Sequence, residues 1–268
     1  MSIKPFLKWA GGKRWIVDRK EFRLPSFNGR YIEPFLGGGA VFFHLKPKKA
    51  ILSDVNGRLI ETYEAIRTDW QNVWSELRRH QYYHCKEYYY QERAKNRRTL
   101  HTRAAQFLYL NRACWNGLYR ENLQGKFNVP IGTKSKILFE SDNFSTVSEY
   151  LKDVILSCND FEQTIDKATI NDLVFVDPPY TTAHNFNGFV KYNQTIFSWD
   201  DQIRLRNSIA RAADRGAKII VTNAMHQSVV DLYEGISTIV EVPRQTIISG
   251  SSKGRKHTAE SLIYVGNN

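Results

Sequence analysis

The stretch LVFVDPPY, residues 173–180, constrains the fold more than any other part of the sequence. Its first four residues are apolar, and a strand that is buried in a parallel sheet has such a continuous apolar run. Proline has no backbone N–H to donate to a neighbouring strand, so Pro178 and Pro179 cannot continue the strand. The sequence therefore predicts a buried strand that stops at Asp177, with the carboxylate at the edge of the sheet.

Asp177 and the residues after it present groups that suit one kind of ligand. In open α/β sheets, ligands bind beyond the carboxyl ends of the strands. Pro178 restricts Asp177 to an extended conformation, and its own carbonyl cannot pair with an N–H of Pro179, so that carbonyl can accept from a ligand. Two acceptors beside the flat ring of Tyr180 suit an amino group on a planar heterocycle. The alternative is a strand that ends in a Pro-Pro turn, with Asp177 as a helix cap.

Apolar runs and glycine turns alternate in two separate parts of the chain. Residues 1–56 have the pattern of strand, glycine turn, helix and strand, which is typical of a βαβ unit. The pattern returns in residues 151–268, which include a clear helix near Asp200. We therefore predict one open, mostly parallel sheet with helices on both faces. Its strands are predicted at residues 30–35, 50–54, 154–157, 173–176, 218–222, 237–242 and 262–265.

Residues 57–150, between those two parts, are predicted to be a mainly helical insertion. Apolar residues from Leu59 to Leu77 recur at three- and four-residue steps, which marks one face of a long helix. A polar stretch rich in tyrosine and arginine follows, and a short helix is predicted at residues 104–111. Residues 116–130 have the pattern of turns and a short hairpin.

A glycine-rich loop, residues 33–39, lies between a predicted strand and a predicted helix. Glycine lets the backbone approach a ligand closely at a helix N-terminus. Asp54 ends the next strand, where a carboxylate can accept both hydroxyls of a ribose. The alternative for Asp54 is a helix cap ahead of Asn56. The glycines do not have the spacing of a dinucleotide-binding motif, and the phosphate-binding loop of ATP-binding proteins is absent from the sequence. The glycine-rich loop and Asp54 together favour a nucleoside ligand.

The formal net charge of +11 over 268 residues favours a polyanionic partner, because lysine and arginine release counterions from phosphates when they bind. The alternative is a basic surface that serves only solubility. The three cysteines are widely spaced and predict neither a disulfide framework nor a zinc site. No apolar run approaches the roughly 18–20 residues that cross a bilayer, and no signal-peptide pattern is visible. We therefore expect an intracellular protein without a membrane segment.

Four separated motifs resemble those of the Dam-type (D12 class) DNA adenine-N6 methyltransferases. They are FLKWAGGK at residues 6–13, YIEPFLGGGAVFF at 31–43, LNR, WNGLYR and GKFNVP within 110–130, and FVDPPY at 175–180. The resemblance covers most of the chain and implies S-adenosylmethionine as methyl donor, duplex DNA as substrate and GATC as the commonest target. We expect direct transfer to an adenine that is flipped out of the duplex, with no metal and no covalent enzyme intermediate.

The resemblance also implies a Rossmann-like class I methyltransferase fold with a helical target-recognition domain. Residues 1–56 and 151–268 would form the catalytic domain, and residues 57–150 the recognition domain. We expect a monomer in the cytoplasm. The implied catalytic residues are Asp177, Pro178, Pro179 and Tyr180. The residues implied to contact the donor are Trp9, Ala10, Lys13, Glu33, Phe35, Gly37, Asp54, Asp160, Phe161 and Asp177.

The predicted DNA contacts lie mainly in the insertion and in a late loop, SGSSKGRKH, at residues 249–257. Arg120 is the candidate for a guanine contact, because its fork of donors matches guanine O6 and N7. The alternative for the late loop is a solvated hairpin loop. The full set of predicted DNA contacts is Lys8, Arg93, Arg97, Arg98, Arg112, Trp115, Asn116, Leu118, Arg120, Lys126, Lys253, Arg255 and Lys256.

Three other functions stay open at this point. An RNA adenine methyltransferase would keep the same pocket with other substrate contacts. A family that methylates glutamine in proteins resembles this chain only at the turn of residues 177–180, and it has Asn where this chain has Asp177. A DNA-binding relative without catalysis is the third, and the intact DPPY motif, glycine loop and Asp54 argue against it.

Overall fold

The computed structural model describes residues 4–117, 119–122, 124–183, 197–245 and 257–266. The chain divides into two compact units, which are described separately. The first comprises residues 1–17, 36–48 and 54–158, and the second comprises residues 18–35, 49–53 and 159–268. This division is geometric, and the division into a catalytic and a recognition domain stays a prediction. The predicted DNA contacts that lie outside the described residues are Leu118, Lys253, Arg255 and Lys256.

Seven strands are present in the described part of the chain: β1 (Tyr31–Glu33), β2 (Ala50–Ser53), β3 (Ile155–Ser157), β4 (Leu173–Val176), β5 (Lys218–Ala224), β6 (Ser237–Gln245) and β7 (His257–Val265). They form a sheet in the order β3–β2–β1–β4–β5–β7–β6. β1 pairs in parallel with β2 and β4, and β4 pairs in parallel with β5. β7 runs antiparallel to both β5 and β6. The prediction of one open, mostly parallel sheet is confirmed.

The apolar run that predicts a central strand is buried in the second unit. Each side chain of β4 is at most 1% exposed. Val174 and Val176 belong to the same buried cluster as Ile219 of β5. This cluster also contains Leu205 and Ile209 of the helix Trp199–Asp214. Burial of each such side chain contributes about 1.5–3 kcal/mol to stability. β4 ends at Val176, so the strand stops where the two prolines predict.

The described residues form eight α-helices, and none of these is both long and apolar enough to span a membrane. The long helix that the sequence predicts is the second, with a kink at Asp69. Its N-cap is Asn56, whose side chain accepts from the Leu59 N–H at 3.0 Å. The helices are α1 (Ala40–Leu45), α2 (Gly57–Tyr83), α3 (Lys86–Ala94), α4 (Leu100–Ala113), α5 (Phe144–Leu151), α6 (Phe161–Ile165), α7 (Trp199–Asp214) and α8 (Gln227–Tyr233).

Two helices of the first unit differ from the prediction. α4 extends beyond residues 104–111 at both ends, and every residue from Ala104 to Ala113 is buried. A helix that is buried all round has no polar face, so its sequence carries no clear helical period. α3 lies within a stretch for which no helix is predicted. It buries Tyr89 and Glu92, so part of its buried face is polar.

A buried polar cluster includes residues of both α2 and α3. His80 and Glu92 are fully buried. His80 Nδ1 lies 2.8 Å from the Tyr88 hydroxyl, and the Arg97 guanidinium donates to both oxygens of Glu92 at 2.6 and 2.5 Å. Burial lowers the pKa of His80 to about 4, although the Glu92 carboxylate opposes the shift. The His80 ring is therefore neutral at pH 7.

We expect the free energy of unfolding to fall as the pH decreases from 7 to 5. In the unfolded chain histidine has its ordinary pKa near 6.5, so the unfolded state takes up a proton first. The loss from His80 is about 2 kcal/mol at pH 5. Urea denaturation at pH 7, 6 and 5 measures it. His80→Phe should flatten this dependence, whereas the exposed His44→Gln should not; an unchanged slope in His80→Phe would contradict the assignment.

Candidate active site

Asp177 lies directly after β4 in the second unit and is held by a neighbouring strand. The Thr222 hydroxyl on β5 donates to Asp177 Oδ1 at 2.6 Å. Thr222 is fully buried, whereas Asp177 is only partly buried. No helix begins between Asp177 and Ala183, so the alternative that Asp177 caps a helix is wrong. The Thr222 bond therefore helps to fix the orientation of the Asp177 carboxylate.

Tyr180 is bound through its hydroxyl to a carboxylate of β7. The hydroxyl donates to Glu260 Oε2 at 2.7 Å, and Glu260 is 3% exposed. Burial raises the pKa of Tyr180 well above 10, and the negative charges of Asp177 and Glu260 raise it further. Tyr180 therefore stays protonated and remains a donor to Glu260 at any physiological pH.

A second tyrosine–carboxylate pair lies at the end of β1. The buried Tyr31 hydroxyl donates to Glu33 Oε2 at 2.9 Å. Burial raises the pKa of Tyr31 far above its usual value, and both Glu33 and Asp177 add to the shift. Asp177 thus acts on both tyrosine hydroxyls. The carboxylates of Glu33 and Asp177 thus lie at the carboxyl ends of β1 and β4.

Aromatic side chains and an ion pair surround the predicted Asp160–Phe161 pair. Phe35 stacks on Phe161, with 5.5 Å between ring centroids and an interplanar angle of 22°. Phe161 is buried and Phe35 is partly exposed. Asp160 is the N-cap of α6 and also accepts from the Arg204 guanidinium at 2.7 and 3.0 Å. Arg204 in turn lies 4.2 Å from the centre of the Phe161 ring.

In the first unit, Asp54 holds the glycine-rich loop. Its two oxygens accept from the Gly37 and Asn56 N–H groups at 3.0 Å each. The Tyr63 hydroxyl donates to the Gly37 carbonyl at 3.1 Å. Burial raises the pKa of Asp54, and these backbone bonds oppose the shift. Because Asn56 is the cap of α2, the helix-cap alternative for Asp54 is wrong. Asp54 remains partly exposed.

Trp9 explains why residue 37 is glycine. Gly37 has a φ of 47°, and a Cβ there would lie 2.6 Å from Trp9 Cδ1. The partly exposed Trp9 ring also stacks on Tyr119, with 5.8 Å between centroids. In the same motif Ala10 is exposed, whereas Lys13 is buried and donates to the Gly11 carbonyl at 2.7 Å.

Lys8 and the turn after α4 form one surface of the first unit. The Asn111 side chain bonds the N–H and the carbonyl of Lys8, at 3.1 and 2.8 Å. The Lys8 ammonium donates to the Asn116 carbonyl at 2.5 Å. Gly117 has a φ of 64°, and a Cβ there would lie 2.5 Å from Lys8 Cδ. Trp115 is 52% exposed beside them.

A short hairpin carries two further predicted DNA contacts. Glu121 and Phe127 form an antiparallel bridge, as the predicted hairpin requires. Arg120 is exposed, and its Nε donates to Asn128 Oδ1 at 3.0 Å. Lys126 is exposed at the hairpin end. Both side chains are accessible to a polyanion.

The prediction of a DNA contact by Arg112 is corrected by its surroundings. Its guanidinium is buried and binds Asp142 through two bonds of 2.6 and 2.8 Å. It also donates to the carbonyls of Ile137 and Phe6, each at 2.8 Å. A bidentate buried pair of this kind holds protein segments together. Both terminal nitrogens of the Arg112 guanidinium are occupied, so they do not form a bidentate contact with DNA.

The three other arginines predicted to contact DNA differ in their exposure. Arg97 pairs with Glu92, and Arg93 donates to the Val129 carbonyl at 3.1 Å and lies over the Tyr90 ring. Of these three, Arg98 is exposed, whereas Arg93 and Arg97 are partly buried. Arg98 is therefore the most accessible of them to a phosphate.

Thr222, Glu260 and Arg204 are absent from the sequence prediction, although each contacts a predicted residue. Glu260 leaves no clear signal, because it precedes the strand predicted at residues 262–265. Thr222 has none, because threonine is ordinary in a strand. Within the described residues, no group of three or more His, Cys, Asp or Glu side chains is placed to hold a metal ion.

Comparison with known proteins identifies the family. Residues 9–248 match the model of the D12 class N6 adenine-specific DNA methyltransferases. The chain is 37% identical to the type II methyltransferase M.MjaIII of Methanocaldococcus jannaschii, over 98% of this chain and 99% of that protein. It is 32% identical to the DNA adenine methylase of Serratia marcescens and 30% identical to that of Escherichia coli K12, each over 97% of this chain and at least 95% of the relative.

The order of the sheet and the match to this family together identify a Rossmann-like methyltransferase. The chain belongs to the D12 class of N6 adenine-specific DNA methyltransferases. Adenine N6 in DNA is thus the methylated position, and the alternatives of RNA adenine and protein glutamine are set aside.

We expect Arg112→Ala to lower the free energy of unfolding by about 3–5 kcal/mol, because it leaves Asp142 buried without its partner. Thermal denaturation measures this. Arg98→Ala is the control, with an exposed arginine and an expected change within about 0.5 kcal/mol. If Arg112→Ala melted like the wild type and lost only DNA affinity, Arg112 would be a DNA contact after all.

Proposed function

We propose that the chain transfers a methyl group from S-adenosylmethionine to N6 of an adenine that is flipped out of a GATC site in duplex DNA. The observation that carries this proposal is the carboxylate of Asp177, fixed by Thr222 at the end of β4, in the same motif as Tyr180. We further propose that the protein acts as a monomer in the cytoplasm.

The described residues fit the proposed donor in charge and in hydrogen bonding. When bound, S-adenosylmethionine supplies a methyl group on a positively charged sulfur. Glu33 and Asp177 in the second unit are carboxylates at strand ends, where negative charge favours a cation. In the first unit Asp54 is partly exposed, and a carboxylate has about four lone-pair sites for hydroxyls and N–H groups. The donor contacts of Phe35, Gly37, Asp160, Phe161, Trp9, Ala10 and Lys13 remain predictions from the family resemblance.

In the proposed reaction, Asp177 and the Pro178 carbonyl accept the two N–H groups of adenine N6. That nitrogen normally delocalises its lone pair into the ring. Two acceptors would favour a more pyramidal nitrogen and stabilise the positive charge that develops as the N–C bond forms and the sulfur–methyl bond of the donor breaks. S-adenosylhomocysteine would leave as the product, and one N6 proton would pass to solvent. Because both acceptors are oriented before the reaction, they require little reorganisation. No covalent enzyme intermediate is needed.

The target adenine must leave the duplex for this to happen, at a cost of a few kcal/mol. We propose that the ring of Tyr180 stacks on the extruded base. The proposed DNA-reading surface of the first unit consists of the exposed Trp115, Asn116, Arg120 and Lys126, with Lys8 beside them. Arg93, Arg97, Arg98, Leu118, Lys253, Arg255 and Lys256 remain predicted contacts, with Arg98 the most accessible of the described arginines.

We expect Asp177→Ala to lower kcat by at least 10²–10³-fold, because the oriented acceptor for N6 is lost. Transfer of labelled methyl to duplex DNA, with the product identified by mass spectrometry of the hydrolysed nucleosides, measures the effect. Asp214→Ala removes an exposed carboxylate of α7 and is the matched control. Turnover near the wild-type rate in Asp177→Ala would overturn the assignment.

We expect Arg120→Ala to weaken binding to a GATC duplex by about 1–3 kcal/mol and to reduce discrimination at the guanine position. Binding to GATC and to single-base variants of it tests this. Lys126→Ala is the control, and it should weaken binding uniformly and reduce the salt dependence by about one phosphate contact. If Arg120→Ala weakens binding equally on every duplex, Arg120 contacts phosphate. Single-base mapping of methylated plasmid DNA tests the GATC site itself.

A further inference from the structure

Glu260 is a buried carboxylate in a strand where an apolar residue is expected. It lies on β7, is 3% exposed and pairs with Ala224 of β5 and Val242 of β6. The next two positions, Ser261 and Leu262, are also buried. A carboxylate in such a position lowers stability unless its hydrogen bonds compensate. A hydrogen-bond partner that compensates this cost is therefore expected beside Glu260.

One partner of Glu260 is the tyrosine of the catalytic motif. The Tyr180 hydroxyl donates to Glu260 Oε2 at 2.7 Å. A hydroxyl bonded to a carboxylate makes a charge-assisted bond, which is roughly twice as strong as a neutral one. Burial and the two nearby carboxylates raise the pKa of Tyr180, so the hydroxyl keeps the proton that this bond requires.

The same pair of strands supports the other functional group of the motif. Thr222 pairs with Leu262, and Ala224 pairs with Glu260, so Thr222 and Glu260 are diagonal neighbours across β5 and β7. Residues two apart on a strand face the same side of a sheet, so both side chains lie on one face. Thr222 holds Asp177 at 2.6 Å, and Glu260 holds Tyr180.

We propose that Glu260 is a positioning residue that acts through the Tyr180 hydroxyl. The bond fixes the far end of the Tyr180 side chain, and thereby the plane of the ring that receives the target adenine. Glu260 itself touches neither substrate nor donor. This inference rests on the proposed role of Tyr180 and adds a residue that controls how precisely the base is held. A misplacement of about 1 Å at a reacting centre reduces the rate by up to roughly 100-fold.

A double-mutant cycle tests the inference. Glu260→Leu should lower kcat roughly 10- to 100-fold and leave the Kd for S-adenosylmethionine within about twofold. Tyr180→Phe keeps the ring but lacks the hydroxyl, so it should produce a similar loss. In the Tyr180→Phe background, Glu260→Leu should cause no further loss, because the hydroxyl through which Glu260 acts is already absent. Glu260→Gln retains an acceptor oxygen and should recover most of the activity.

Two controls distinguish a failure of the positioning role from a failure of the proposed function. Glu241→Leu replaces an exposed glutamate of β6 and should leave kcat unchanged. Fluorescence of 2-aminopurine at the target position reports on the held base, and it should change in Glu260→Leu but not in Glu241→Leu. If the wild type methylates adenine but the Glu260→Leu loss is the same in both backgrounds, the positioning role is overturned. If the wild type does not methylate adenine N6, the proposed function itself fails.

Discussion

The parallel register of β4 between β1 and β5 is the constraint on which the site in the second unit depends. Ile32 pairs with Val174, and Val221 pairs with Val176. Glu33 therefore ends β1 near the end of β4, and Thr222 is level with Asp177. The bond of 2.6 Å between Thr222 and Asp177 follows directly from that register. Strand pairing, rather than a loop conformation, sets the direction of the carboxylate.

Two tyrosine hydroxyls allow several carboxylates to lie at this edge of the sheet. Tyr31 donates to Glu33, and Tyr180 donates to Glu260, while the charge of Asp177 acts on both hydroxyls. Each pair satisfies a carboxylate without adding a positive charge. A neutral donor of this kind leaves the charge of its carboxylate in place, whereas an arginine at either tyrosine position would add a positive charge beside it.

The sequence predicted most of the sheet, because glycine turns and apolar runs are local patterns. The end of β4 at Val176 and the start of β6 at Ser237 match the prediction, whereas β7 begins at His257, five residues before its predicted start at residue 262. α3 was missed because its buried face includes Glu92, and the length of α4 was missed because it is buried on all sides. Arginine is a residue type that often contacts DNA. The ion pair that buries Arg112 was not predicted, because its partner Asp142 is distant in sequence. The contacts of Glu260 with Tyr180 and of Thr222 with Asp177 depend on strand pairing, which no local sequence pattern encodes.

The contact between Gly117 and Lys8 joins two distant parts of the sequence. The lysine stem occupies the space that a side chain at residue 117 would fill, and Asn111 clamps the backbone of Lys8 from the end of α4. The N-terminal motif and the turn that precedes the hairpin are thus shaped by one another. A larger side chain at residue 117 would therefore displace Lys8, more than a hundred positions earlier in the sequence. A segment exchanged between relatives would have to include both pieces to keep this contact.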